Sequence, residues 1–426
     1  MLSNLVIPAA AALLASSTAM AAPASPLSPR TFAVAVGTPS VTTADGTYDA
    51  KLAERNLKQT FAKLEGFVEG VEAKAKARMQ KKAKNSGATI ELEGGYYAAP
   101  ILVGTPAQQA RVVVDTGSSD VWVYGGTDAF ESNKSSTLTS TGETVDFSYV
   151  TGAYTADLVS DTVSLGGLTV PNQYFGVVPL PEEVDPEDPL AGVGTIGLSF
   201  QDIAKIDHPT FFQNLLSHKQ ISSPQFGLYL SRDPSTSASE LTLGGSSVKH
   251  YKGSMTKYSV VEGFGRWTLK LKHLLVSGKK VADPQTYTFI DSGSSVSYLP
   301  KEVVAALYAA IPGSKRFYGG PESATLNGVE YTLDAYQFPC NTAARPEYVF
   351  DGGYRRPLAV DPAGMSLGPA NEAGDMCIGS VIGVDITYGG ATCGLLGVDF
   401  LKNVYSVFDF GSNGASPSIA FGIVKP

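Results

Sequence analysis

Two short segments of the chain carry the same groups in the same order. Val112-Val113-Val114-Asp115-Thr116-Gly117-Ser118-Ser119 is echoed later as Thr288-Phe289-Ile290-Asp291-Ser292-Gly293-Ser294-Ser295. Each is an apolar run followed by an aspartate, a hydroxyl residue, a glycine and a serine. A single copy means little, because Asp, Gly and Ser are ordinary turn residues. A second copy behind a second strand-like run is far less expected by chance, and it supplies a pair of carboxylates. Brought together, Asp115 and Asp291 cannot both stay ionised in acid, so they share a proton and titrate as a pair. One is then a base and the other an acid. A water between them loses a proton as it attacks an amide carbonyl, while the protonated partner donates to the carbonyl oxygen. The product is a tetrahedral gem-diol with no covalent intermediate.

The elements that must position these groups are repeated as well. Thr195-Ile196-Gly197-Leu198 follows the first aspartate and Leu395-Leu396-Gly397-Val398 follows the second. Each half should therefore carry its Asp on a tight loop at a strand end, with an apolar-apolar-Gly strand beside it. A pseudo-twofold arrangement would bring both loops to one central cleft. Gly117 and Gly293 let backbone N–H groups approach the carboxylates closely. The hydroxyls of Ser118 and Ser294 are expected on the outer carboxylate oxygens, and those of Thr116 and Ser292 between the two loops.

The rest of the composition suits a two-lobed, all-β body. The 426 residues are 43% apolar and 17% charged, with 45 Gly, and beyond residue 87 short apolar or alternating runs are separated by Gly, Asn and Ser turns. Only short helices are expected, such as one at 301–310. Residues 1–86 carry 11 Lys+Arg and 6 Asp+Glu, a net charge of +5, so the remainder carries 21 and 34, a net of −13. Such an acidic body is a poor nucleic-acid binder. Four histidines leave little material for a metal site or a Ser-His-Asp hydrolase, and no metal or cofactor is expected. Three cysteines, Cys340, Cys377 and Cys393, permit any of three pairings and suit an oxidising compartment.

The first 22 residues read as a secretory signal, an apolar run at 5–15 followed by small residues, and no later run is long enough to span a membrane. Residues 23–86 read as a removable basic propeptide. Leu57, Phe61, Leu64, Val68 and Val71 fall on one helical face, and Lys74, Lys76, Arg78, Lys81, Lys82 and Lys84 follow. The lobes are then expected at 87–250 and 251–426. Two side features are read as surface: the acidic run 182–189, and the sequon Asn133-Lys134-Ser135, which is a glycan acceptor in a secreted protein.

From about Gly94 to its C-terminus the chain resembles the pepsin-like (A1 family) aspartic endopeptidases, those of fungi in particular. Besides the two Asp motifs, the resemblance rests on Val103-Gly104-Thr105-Pro106, Trp122, Phe147-Ser148-Tyr149-Val150-Thr151-Gly152, Asp399-Phe400-Leu401 and Val407-Phe408-Asp409. It implies two β-lobes around a cleft, a shared-proton dyad at Asp115 and Asp291, and a β-hairpin flap whose Tyr149 closes over substrate and bonds to Trp122. Thr151 and Gly152 complete the flap, although Val150 stands where the family commonly has Gly. The resemblance also implies a disulfide between Cys340 and Cys377, leaving Cys393 as a buried thiol. Val113 and Tyr149 would line an apolar primary pocket favouring large apolar side chains, and Thr151 replaces an Asp that admits Lys in some fungal relatives.

The expected activity is that of a secreted acid endopeptidase, with a vacuolar destination as the variant. It would be a monomer acting on proteins and peptides, inhibited by its own propeptide until acid releases it and a cut falls between about Lys82 and Thr89. The rival is a catalytically inactive binding protein of the same fold. Such a protein would be expected to lack a dyad Asp or the flap Tyr, and both are present.

Overall fold

The computed structural model describes residues 86–425 apart from 94–95, 128, 150–151, 181–191, 234–236, 321, 327–328, 353–355, 389 and 412–415. The leader, the basic helix, Val150, Thr151 and the acidic run therefore lie outside the described residues, as does the side chain of Tyr149.

Strands dominate, and among the described residues the α-helices are Phe211–Ser217, Lys301–Ala309 and Val398–Leu401. Lys301–Ala309 begins behind Pro300 and buries Val303, Val304, Leu307 and Tyr308, a spacing that places them on one face. Gln108–Asp115 is a strand because Val112, Val113 and Val114 are buried on both faces, the pattern of a strand covered on each side.

The internal repeat is visible in the pairing. In the first half, Gln108–Asp115 runs parallel to Val193–Gly197, which pairs antiparallel with Val121–Gly125, which in turn runs parallel to Leu168–Pro179. In the second half, Thr286–Ile290 runs parallel to Ala391–Leu396, antiparallel to Ser297–Leu299, itself parallel to Val381–Gly383. The order parallel, antiparallel, parallel is the same. Two stretches of similar sequence thus build the same four-strand unit, and each unit ends at its aspartate.

A third layer joins the halves. Tyr251–Ser259, Ser418–Val424, Val404–Asp409, Gln225–Tyr229, Ser239–Leu243 and Ser86–Glu93 follow one another as antiparallel neighbours. Gln225–Tyr229 and Val404–Asp409, far apart in the chain, are neighbours in this sheet, so backbone hydrogen bonds cross from one half to the other. Beneath it, Trp267 is buried among Phe200, Phe226, Phe408 and Phe410, with ring centroids 4.5–6.0 Å away. Its indole N–H donates to the carbonyl of Leu198 at 2.9 Å, so a side chain of the second half satisfies a backbone group beside the first aspartate loop.

Candidate active site

The two aspartates sit where the repeated units meet. Asp115 and Asp291 are each 1% exposed. The Gly117 N–H donates to Asp115 Oδ1 and the Gly293 N–H to Asp291 Oδ1, both at 2.8 Å. Such bonds favour the charged carboxylate and fix its plane. Ser118 Oγ donates to Asp115 Oδ2 at 2.5 Å, the outer-oxygen contact expected from the motif. Ser294 Oγ, expected in the same role, reaches the Val296 carbonyl at 2.9 Å.

The loops hold each other. Thr116 Oγ1 donates to the Ile290 carbonyl at 2.9 Å and Ser292 Oγ to the Val114 carbonyl at 2.7 Å, while each hydroxyl also accepts from the other residue's backbone N–H. The lattice is buried and closely symmetric. Gly117 completes the contact: a Cβ there would lie 2.5 Å from Asp291 Cγ, so the first loop lies flat against the opposite carboxyl. The flanking glycines act similarly, since a Cβ on Gly197 would lie 2.4 Å from Ser119 N and one on Gly397 2.4 Å from the Val296 carbonyl oxygen. A mutually braced pair of buried carboxyls can hold one proton and an attacking water in fixed geometry.

The hairpin expected as a flap is formed by Thr139–Tyr149 and Gly152–Leu165, whose last registered pair is Tyr149 with Gly152. Trp122 lies against it between Phe147 and Tyr154, with ring centroids 6.4 and 5.9 Å away. The anticipated bond from Tyr149 to Trp122 falls outside the described side chains. Val113, one residue short of the loop, packs with Tyr96, Ala98 and Val193. Cys340 and Cys377 are bonded, S–S 2.02 Å. Cys393 is buried, and burial pushes its thiol up to about 11.

Three groups near the aspartates went unnoticed in the sequence. Tyr96 is buried, and burial first, then the neighbouring Tyr298 phenol when ionised and the Asp291 and Asp115 carboxylates, raise its phenol well above the usual value against a lowering contribution from Ser295. Asp120 accepts the backbone N–H groups of Lys205 and Ile206 at 2.8 and 3.0 Å, yet burial outweighs them and raises its carboxyl to about 6. Arg266 is 6% exposed and its guanidinium donates to the Gly117 carbonyl. A lone arginine behind the turn-prone Gly263-Phe264-Gly265 carries no pattern that would mark it as buried.

A family profile described as eukaryotic aspartyl protease matches residues 96–418, most of the chain and both aspartate loops. The chain belongs to the eukaryotic aspartyl protease family. This protease is 31% identical over 348 residues to the aspartic protease of Phaffia rhodozyma, covering 79% of this chain and 80% of that one. It is 27% identical over 387 residues to major aspartyl peptidase 1 of Cryptococcus neoformans var. grubii, covering 85% and 76%. Cathepsin D of Bos taurus is 28% identical over 389 residues, covering 84% and 95%. The bilobal all-β architecture is the family's, and the protein is an aspartic endopeptidase acting on protein substrates. No described helix is long and apolar enough to cross a membrane.

Proposed function

We propose that Asp115 and Asp291 are the catalytic dyad and share one proton in the active form. The observation that supports this is the reciprocal bonding of Thr116 and Ser292, which holds together the two loops that carry these buried carboxyls, in a family with relatives named as aspartic peptidases. The single shared proton makes one carboxyl the base for water and the other the acid for the carbonyl oxygen. Gly117, Gly293 and Ser118 orient the carboxylates, and Tyr149, Thr151 and Gly152 close the cleft over substrate. The apolar cluster of Val113, Tyr96, Ala98 and Val193 supports a preference for large apolar side chains beside the cut bond.

The protease is made as a secreted zymogen. Its basic residues 23–86, net positive against an acidic body, bind the cleft near neutral pH and release it in acid. Carboxylates paired with lysine titrate lower in the bound state, so this attraction is present above their free pKa values and lost as pH falls through the lowered ones. The test is digestion of denatured protein in acid by the parent and by Asp115→Asn and Asp291→Asn proteins, with pepstatin as the blocking ligand. Turnover by a folded Asp291→Asn protein would overturn the dyad, and full activity at neutral pH with residues 23–86 attached would overturn the zymogen.

A further inference from the structure

The feature the two-carboxylate scheme leaves unused is a buried arginine beside it. Arg266 precedes the strand Thr268–Val276 of the second half, yet it bonds to the carbonyl of Gly117 in the first. Gly117 is the residue whose N–H holds Asp115 and whose Cα lies against the Asp291 carboxyl. Arg266, Thr116, Gly117, Trp267, Ile290 and Asp291 line one small cavity with room for about one water. A guanidinium cannot give up its proton in acid, so a permanent positive charge is enclosed beside both aspartates.

Other titratable groups face the same spot. Tyr96 comes from the strand Tyr96–Val103, Tyr298 from Ser297–Leu299 and Tyr388 from Ile386–Tyr388, the last beside Arg266 itself. All are phenols and uncharged in acid. Burial lowers Arg266 to about 10, with Asp291 and Asp115 opposing the shift, so it remains charged throughout the acid range.

We propose that Arg266 is a positioning residue for the dyad: it ties the Gly117 carbonyl in place and, as a buried cation, shifts the pH window of activity toward acid. The reasoning rests on the reading of Asp115 and Asp291 as the dyad. A nearby cation favours each ionisation, so it lowers both the step that creates the singly protonated pair and the step that destroys it. Both limbs of the bell-shaped profile therefore move together. A hydroxyl or amide that only braced the loop would alter the rate, or the spacing of the limbs, without displacing them in common.

The test is kcat/KM against pH, with a peptide lacking titratable groups, for the parent, Arg266→Met, Arg266→Lys and Asp291→Asn. Arg266→Met should move both limbs upward by about 1 pH unit. Arg266→Lys should keep the parent's window even if kcat falls. A folded Arg266→Met enzyme with limbs unmoved overturns the proposal, as does a Lys variant that shifts as far as Met. If the Met variant does not fold, the parent decides by its salt response: a buried cation is poorly screened, so the limbs should hold between about 0.05 and about 1 M salt, and an upward drift of both would assign the effect to surface charge instead. An active Asp291→Asn protein would defeat the dyad reading itself, a result distinct from either.

Discussion

Thr116 and Ser292 each satisfy the other's backbone: the Thr116 N–H donates to Ser292 Oγ at 3.0 Å, and the Ser292 N–H donates to Thr116 Oγ1 at 2.9 Å. Replacing one hydroxyl by a methyl leaves a buried N–H without its acceptor. Thr116→Val is therefore expected to cost about 1–3 kcal/mol of stability and to lower kcat more than it raises KM. Thr116→Ser keeps both bonds and should restore most of each. Denaturant unfolding and steady-state kinetics on the two variants check this, and a Val variant as stable and active as the Ser one would refute it.

Gly117 is needed for space rather than for an unusual backbone angle. A methyl group there would press on the Asp291 carboxyl, 2.5 Å from Cγ. The Gly117→Ala protein should fold and yet lose about 10²-fold or more in kcat/KM, because the two carboxyls are driven out of register. Near-UV circular dichroism beside the assay separates this from unfolding.

Asp120 predicts how stability varies with pH. Burial raises its carboxyl to about 6, against 3.8 for the free side chain, so the folded protein binds a proton that the unfolded chain has already lost. Stability from this group is complete below about 4 and declines as pH climbs toward 6, by up to about 3 kcal/mol. The parent's Tm should fall across that interval, and Asp120→Asn should flatten the fall. A parent and variant with parallel Tm profiles would contradict it.

The disulfide joins Cys340, in the turn that follows Tyr336–Pro339, to Cys377 in the paired strand Met376–Gly379, across 37 positions of chain. Closing a loop of that length stabilises by about 3–4 kcal/mol on the chain-entropy argument. Cys340→Ala with Cys377→Ala should lose stability on that scale while keeping kcat at moderate temperature, since neither strand carries Asp115 or Asp291. Thermal unfolding and an activity assay measure the two effects separately.

What was legible in the sequence was what local chemistry fixes. The two Asp loops could be read because strand, carboxylate, hydroxyl and glycine recur in one order, and the helix at 301–310 because its apolar positions keep a helical spacing, ending at Ala309 in the structure. Arg266, Tyr96 and Trp267 could not be read the same way. Their burial depends on residues far along the chain: Arg266 on Gly117, Trp267 on Leu198 and Phe408. The sheet joining the halves was hidden for the same reason, since long-range register leaves no periodic mark in either partner.

The strand Ser86–Glu93 divides its hydrogen bonds between two neighbours, Ser86 to Ile90 matching Leu243 to Ser239 and Glu91 to Glu93 matching Ala98 to Tyr96. It works as a clasp, and on the proposed zymogen reading a clasp sets how far removal of residues 23–86 can advance. Each residue removed beyond Ser86 would bare the edge of Ser239–Leu243, whose serine, glutamate and threonine are buried. A chain matured in that way should therefore start at or before Ser86, in the upstream part of the expected interval between about Lys82 and Thr89, as Edman sequencing of acid-treated protein would report. A start beyond Ile90 in fully active enzyme would mean the clasp is dispensable. If the proposed propeptide is removed, the boundary left behind is written in the sheet as much as in the preference of whichever peptidase makes the cut.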